Sequence, residues 1–306
     1  MASVLLPTHR WTPSCAALAR QLDPGDELLV LCDHQTDPVA TDPPTAPPNT
    51  TIEIVPVGDP EHCSGKANAL AAGLERANDD LLVFTDDDVE RDDEWLSRLK
   101  RLAHQHGAAS VTPAFVSSSV QWRLAEPVMM GLGSALLCRY GGVWGGGVAF
   151  ERDQLDEETF RSDLRRTVSD DALLWSMLDT VHTTPAFVSR VRVPGGRKQV
   201  RDRVTRFVLT YRYFLPRAVV GLWVLLTMLL AITALRPLVS VIGITALAAL
   251  GYRYLGIDRR TWLLAFPAFL LLPFVLVSVW FRPRFDWGGR HYVWRERFDV
   301  TVTEYE

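Results

Sequence analysis

The chain has 306 residues, 48% hydrophobic and 22% charged, a composition too apolar for disorder and long enough for one ordinary domain plus a further module. The net charge of −4 hides a division: residues 1–197 hold 17 Lys/Arg against 29 Asp/Glu, whereas residues 198–306 hold 15 against 7. The acidic first part excludes an electrostatic footprint for nucleic acid, and the basic second part, interleaved with long apolar runs, suits an anionic membrane surface.

In chain order, MASVLLPTHRW lacks a charged leader followed by a long apolar core, so residues 3–8 read as a buried strand and the first part is expected on the cytosolic side. Further β-rich runs at 27–32, 51–57 and 81–85 alternate with helical patterns around 13–22, 65–77 and 93–105. That alternation predicts an α/β fold with a mostly parallel sheet. Residues 33–50 carry Pro38, Pro43, Pro44, Pro47 and Pro48 and are expected to form a surface loop without regular structure. Cys15, Cys32, Cys63 and Cys138 lie far apart with no CxxC pair, which points to neither a disulfide framework nor a structural zinc site.

Open α/β sheets bind ligands beyond the carboxyl ends of their strands. Thr8 follows the first strand, Asp33 the second, and Asp86, Asp87 and Asp88 the fourth. Three consecutive carboxylates repel one another unless a cation neutralises them, and oxygen donors suit Mg²⁺ or Mn²⁺. On its own the run reads equally as a solvated turn. Lys66 opens a helix after Gly65, where an ammonium can reach an anion or simply face water. Asp170 and Asp171 open the helix DDALLWSML, as a cap or as a base. The run Gly145, Gly146 and Gly147 after Trp144 allows either a tight turn or a close backbone approach to a ligand.

Three uncharged runs follow, at 218–235, 237–252 and 261–281. A bilayer core of roughly 30 Å takes about 20 helical residues, so three spans are expected, with two spans and a re-entrant segment as the alternative because Pro267 and Pro273 interrupt the third run. Arg201, Arg203, Arg206, Arg212 and Arg217 precede the first run, and Arg253, Arg259 and Arg260 follow the second, which places both ends of that hairpin in the cytoplasm. A third full span would export the basic tail 282–306; a re-entrant segment would keep it inside.

The combination SVLLPT, CDHQTD, GKANALAAGLERANDDLLVFTDDDVE, GGVWGGGVAFERDQL and SDDALL resembles family 2 glycosyltransferases of the GT-A fold. The resemblance implies a nucleotide-diphospho-sugar transferase fold followed by a C-terminal α-helical membrane region. Asp86 and Asp88 would be the DxD acids that hold Mg²⁺ or Mn²⁺, with Asp87 between them. Thr8, Asp33 and Lys66 would line the nucleotide pocket, although CDHQTD stands where the family more usually has DDxSxD. Asp171 would be the general base and Asp170 its neighbour in the acidic pair. Trp144 and Gly145, Gly146 and Gly147 would approach donor sugar and acceptor. Arg203, Arg206 and Phe207 resemble the (Q/R)xxRW motif of ceramide glucosyltransferases and membrane polysaccharide synthases, with phenylalanine in place of tryptophan.

The expected organisation is a catalytic domain over 1–197, an amphipathic interfacial segment over 198–217, a membrane region of about three helices over 218–281, and a basic tail over 282–306. The expected function is metal-dependent inverting transfer of a sugar, from a UDP-sugar by likeness, to a lipid acceptor by a multi-pass membrane protein with its catalytic domain in the cytoplasm. A polysaccharide synthase and a catalytically silent nucleotide-sugar-binding membrane protein are the alternatives.

Overall fold

The computed structural model describes residues 1–304. The strand runs form β1 (Ala2–Pro7), β2 (Glu27–Cys32), β3 (Thr51–Pro56) and β4 (Leu81–Thr85), with α1 (Pro13–Ala19), α2 (Pro38–Thr41), α3 (Gly65–Leu74) and α4 (Trp95–His106) between and after them. β1, β2 and β4 are buried along their whole length apart from the partly exposed Pro7, as continuous apolar runs demand when both faces of a parallel sheet are covered. The proline-rich loop is not wholly irregular. Pro38 starts the single turn α2, because a proline in the first turn of a helix loses no hydrogen bond.

Next come β5 (Ala108–Ser110), β6 (Thr112–Val116), α5 (Val120–Val128), a π-helical stretch over Met129–Ser134, α6 (Ala135–Arg139) and β7 (Gly147–Glu151). They are followed by α7 (Glu157–Leu164), α8 (Asp170–Trp175) and β8 (Val188–Arg192). The main sheet has the order β3-β2-β1-β4-β7-β5. Its first four strands are parallel, and β7 runs antiparallel to both β4 and β5. The chain reverses its direction of sheet growth between β1 and β4, so Thr8, Asp33 and Asp86 emerge at one edge around this switch point.

The remainder is α9 (Arg197–Phe214), α10 (Pro216–Leu235), α11 (Pro237–Tyr254), a 3₁₀ turn over Arg260–Leu264, α12 (Ala265–Trp280) and the strands β9 (Arg284–Trp287), β10 (Arg290–Glu296) and β11 (Asp299–Glu304). Three helical stretches, Pro216–Leu235, Pro237–Tyr254 and Arg260–Trp280, are long and apolar enough to cross a membrane. The segment expected as a basic tail is instead a three-stranded antiparallel sheet. Its alternation of apolar and polar residues turns Phe285, Tyr292, Trp294 and Val300 inward onto Leu209 of α9, Val279 of α12 and Val168. The Tyr213 hydroxyl donates to the Trp294 carbonyl at 2.9 Å.

Candidate active site

At the switch point lies a cleft of about 250 Å³. Thr8, Asp33, Lys66, Asp86, Asp87 and Asp88 line it from the sheet side, Trp144, Asp170 and Asp171 from below β7 and α8, and Arg203, Arg206 and Phe207 from α9. Residues from seven separate stretches of sequence therefore share one cavity. β4 ends at Thr85, whose hydroxyl donates to the Gly146 carbonyl at 3.0 Å, and the acidic run turns outward from there. Arg91 fixes that turn by donating to the Asp86 carbonyl and the Thr85 hydroxyl, each at 2.5 Å. The Thr8 hydroxyl holds the Asp87 carboxylate at 2.6 Å.

Lys66 is the electrostatic hub. Its ammonium lies 2.6 Å from Asp86 Oδ1 and 3.1 Å from Asp170 Oδ2. Burial alone would lower its pKa, but Asp170 and Asp86 outweigh that and hold it above the ordinary lysine value. One ammonium does not balance all the carboxylates around it. Burial, with Asp171 and Asp86 adding repulsion against the pull of Lys66, pushes Asp170 up to about 6. Burial and the neighbouring Asp86 and Asp87 likewise raise Asp88, and burial raises Asp87 against the Thr8 hydrogen bond. The site is thus short of positive charge on its acidic wall.

Asp171 is held differently. The Ser169 hydroxyl donates to its Oδ1 at 2.5 Å and the Ala172 amide donates to the same oxygen at 2.8 Å. Ser169 also caps α8, so the helix start both orients Asp171 and takes part in its own capping. Across the cleft, Arg206 stacks its guanidinium 3.8 Å from the Trp287 ring centre, and Arg203 lies 5.5 Å from that of Phe115.

Gly145, Gly146 and Gly147, expected to approach a sugar, are not among the residues that line the cleft and lie just behind it. A Cβ on Gly145 would sit 2.3 Å from Asp170 Oδ2 and 2.8 Å from Lys66 Nζ, so this glycine makes room for the ion pair. Gly146 lies under the indole of Trp144, and Gly147 packs on Trp95 and Val111. Trp144 itself is buried edge-on against Phe115, with little of its face free.

Sequence reasoning missed the contribution of the C-terminal sheet. Trp287, Gly288, Arg290 and Tyr292 line the cleft. Arg290 donates to Asp33 Oδ2 at 2.6 Å and to Asp59 Oδ1 at 2.7 Å, and the Gly65 amide donates to the Tyr292 hydroxyl at 3.3 Å. The run WGGRHYVW was the available signal, an arginine and aromatics packed around a Gly-Gly turn.

Asp86 and Asp88 supply two hard oxygen donors, the number that Mg²⁺ or Mn²⁺ takes from protein when phosphates complete its shell. Among the described residues no group of three or more His, Cys, Asp or Glu is placed to cage a metal unaided. The donor chemistry and the raised Asp88 together fit a divalent cation that arrives with a diphosphate.

Residues 59–155 match the family model of glycosyl transferase family 2, and this stretch contains both Lys66 and the Asp86–Asp88 run. The matched stretch is about a third of the chain and lies within the mostly parallel central sheet of a GT-A fold. Among solved structures the chain is similar to glucosyl-3-phosphoglycerate synthase from Mycobacterium tuberculosis in complex with Mn²⁺, uridine diphosphate and glucosyl-3-phosphoglycerate, at 17% identity and a TM-score of 0.38 over 69% of this chain and 79% of that one. It is also similar to TarS (residues 1–349) from S. aureus, at 14% identity and a TM-score of 0.39 over 68% of this chain and 64% of that one. No curated protein matches the sequence.

Proposed function

We propose that the protein is a membrane-anchored inverting glycosyltransferase that moves a sugar from a nucleotide-diphosphate donor, a UDP-sugar by the resemblance of its motifs, to a hydroxyl of a membrane lipid. The observation that carries this reading is the single cleft in which Asp86, Asp88, Lys66, Asp171, Arg203 and Arg206 converge, next to three helices apolar enough to enter a bilayer. A lipid acceptor partitions to that surface already, whereas a soluble one gains nothing from the anchor.

In the reaction the acceptor oxygen attacks the anomeric carbon, the bond from that carbon to the diphosphate oxygen breaks, and the electron pair leaves with the nucleoside diphosphate. Asp171 takes the acceptor proton. Ser169 and the Ala172 amide both engage Oδ1, which turns Oδ2 toward that task. Arg203 and Arg206 face the departing diphosphate and offset its charge. Lys66 bridges Asp86 and Asp170 and offsets their mutual repulsion until the donor arrives. Asp86 and Asp88 would hold Mg²⁺ or Mn²⁺, which when bound neutralises diphosphate charge.

The test is incubation of the purified protein in lipid nanodiscs with a panel of UDP-sugars, Mn²⁺ and extracted lipids. The reading expects nucleoside diphosphate release coupled to a mass increase of one hexose-class unit on a lipid, abolished by chelator. A polymer as product would favour a synthase instead. Binding of UDP without turnover under every condition would defeat the enzymatic reading.

A further inference from the structure

The start of α10, the end of α11 and both ends of α12 are rooted on the catalytic part of the chain. α10 begins directly after α9, which packs on the C-terminal sheet. α11 returns to the catalytic part at its far end, where Tyr252 is buried and its hydroxyl donates to Glu126 Oε1 of α5 at 3.3 Å. Glu126 is 1% exposed, and Arg259 donates to it through Nε at 2.7 Å and Nη2 at 2.9 Å, joined by the Thr261 hydroxyl. α12 therefore starts on α5. It ends on α9, where Arg212 Nη1 donates to the Trp280 carbonyl at 3.2 Å and the Arg212 guanidinium stacks 3.9 Å from the Trp280 ring centre. The strands that follow reach Asp33 through Arg290 and the end of α8 through Arg297, which donates to the Ser176 hydroxyl at 2.7 Å.

A helix whose two ends are tied to the same globular body does not cross a bilayer. Resting on the membrane-anchored reading above, we infer that only α10 and α11 cross, as a hairpin, and that α12 enters and leaves on the catalytic side with its outer face in the acyl layer of the near leaflet. The lengths agree. α10 and α11, with 20 and 18 residues, reach about 30 and 27 Å at 1.5 Å per residue, while α12 with 16 reaches only about 24 Å. It attains a spanning length only by counting Arg260–Leu264, the segment pinned to Glu126.

The faces of α12 agree as well. Phe269 and Leu276 are buried with Leu226 of α10. Leu270, Phe274, Val277 and Phe281 recur at helical spacing on the opposite side, Phe274 and Phe281 about three-quarters exposed. A helix that is apolar on its outer face as well as its packed one belongs in hydrocarbon. Charge supplies the orientation: Arg217, Arg253, Arg260, Arg282 and Arg284 cluster at the roots, and the distal turn between α10 and α11 has Arg236 alone. The surface is thus built for the acyl layer beneath an anionic leaflet.

Single cysteines at Arg76→Cys on the catalytic domain, Arg236→Cys at the distal turn and Thr303→Cys in β11 test this in the full chain, since the four native cysteines are buried. Sealed vesicles of both orientations are treated with a membrane-impermeant maleimide. Arg76→Cys and Thr303→Cys should react from one side and Arg236→Cys from the other, each with at least a tenfold preference. Thr303→Cys reacting together with Arg236→Cys, opposite Arg76→Cys, means three crossings and overturns the inference while leaving the membrane anchor intact. All three reacting from one side, or extraction of the protein by alkaline carbonate, removes the crossing hairpin and the anchored reading with it.

Discussion

Gly145 is the position where one methyl group would touch both partners of the Lys66–Asp170 pair. Gly145→Ala should therefore displace the ammonium and weaken donor binding about tenfold, with a stability loss of about 1–3 kcal/mol from overpacking. Calorimetric titration with UDP and thermal unfolding would check this, and an unchanged affinity would show that the pair tolerates the shift. Asp171→Asn should keep UDP affinity and lose turnover by about 10²–10⁴, because it removes a proton acceptor and leaves the acidic run untouched. Asp170 gives a pH signature. Its folded pKa of about 6 lies above the ordinary 3.8, so the folded protein holds the extra proton and this group's penalty, fully present above pH 6, disappears as pH falls toward 4. Asp170→Asn should accordingly stabilise the protein near pH 7.5 by up to roughly 2–3 kcal/mol and have little effect near pH 4, as read by denaturant melts at both values. The acidic runs were legible as carboxylates placed beyond strand ends, and their convergence on one cleft is what the structure adds. The role of Gly145 was not legible, since it depends on which side chains converge on it from α3 and α8.

Among the elements, the parallel strands and the helices between them could be read from apolar runs and their spacing, and the boundaries of β2 and β4 coincide with the observed ones. The C-terminal sheet could not be placed. Its link to the cleft joins Arg290 to Asp33 across 257 positions, and no local periodicity reports a contact of that range. The consequence is a cleft, the donor pocket of the proposed reading, whose lining depends on the last strands of the described chain. Arg290→Ala should leave the buried Asp33 carboxylate without its guanidinium, raise KM for the nucleotide-sugar about tenfold or more, and change kcat much less. Arg290→Lys should recover only part of the loss, because both acids are reached by the terminal Nη2 of the longer, planar guanidinium, which a lysine ammonium does not place at the same point. Steady-state kinetics with varied donor would decide, and equal falls in kcat and kcat/KM would place Arg290 in the transition state instead of in donor binding.

For the whole molecule, the apolar runs were legible as helices long and apolar enough to cross a membrane, whereas the inferred number of crossings rests on where the chain touches itself between them. Glu126 supplies that contact. It is a buried carboxylate in α5, one turn from Trp122, which packs in the main core beside Phe115. Helix α5 therefore joins the catalytic core to the segment between α11 and α12 through one acid and its three donors, Arg259, Tyr252 and Thr261. Buried charges of this kind stabilise little when intact and cost several kcal/mol when one partner is removed. Glu126→Ala leaves the Arg259 guanidinium and two hydroxyls without their acceptor and should cost about 3 kcal/mol, discounted from the fully buried case because Arg259 keeps some contact with solvent. The loss should appear as a lower Tm in nanodiscs and as earlier proteolysis around residues 255–260, while UDP affinity, set in a cleft that Glu126 does not line, stays within twofold. A parallel fall in UDP affinity would mean that the anchor and the donor pocket unfold as one cooperative unit.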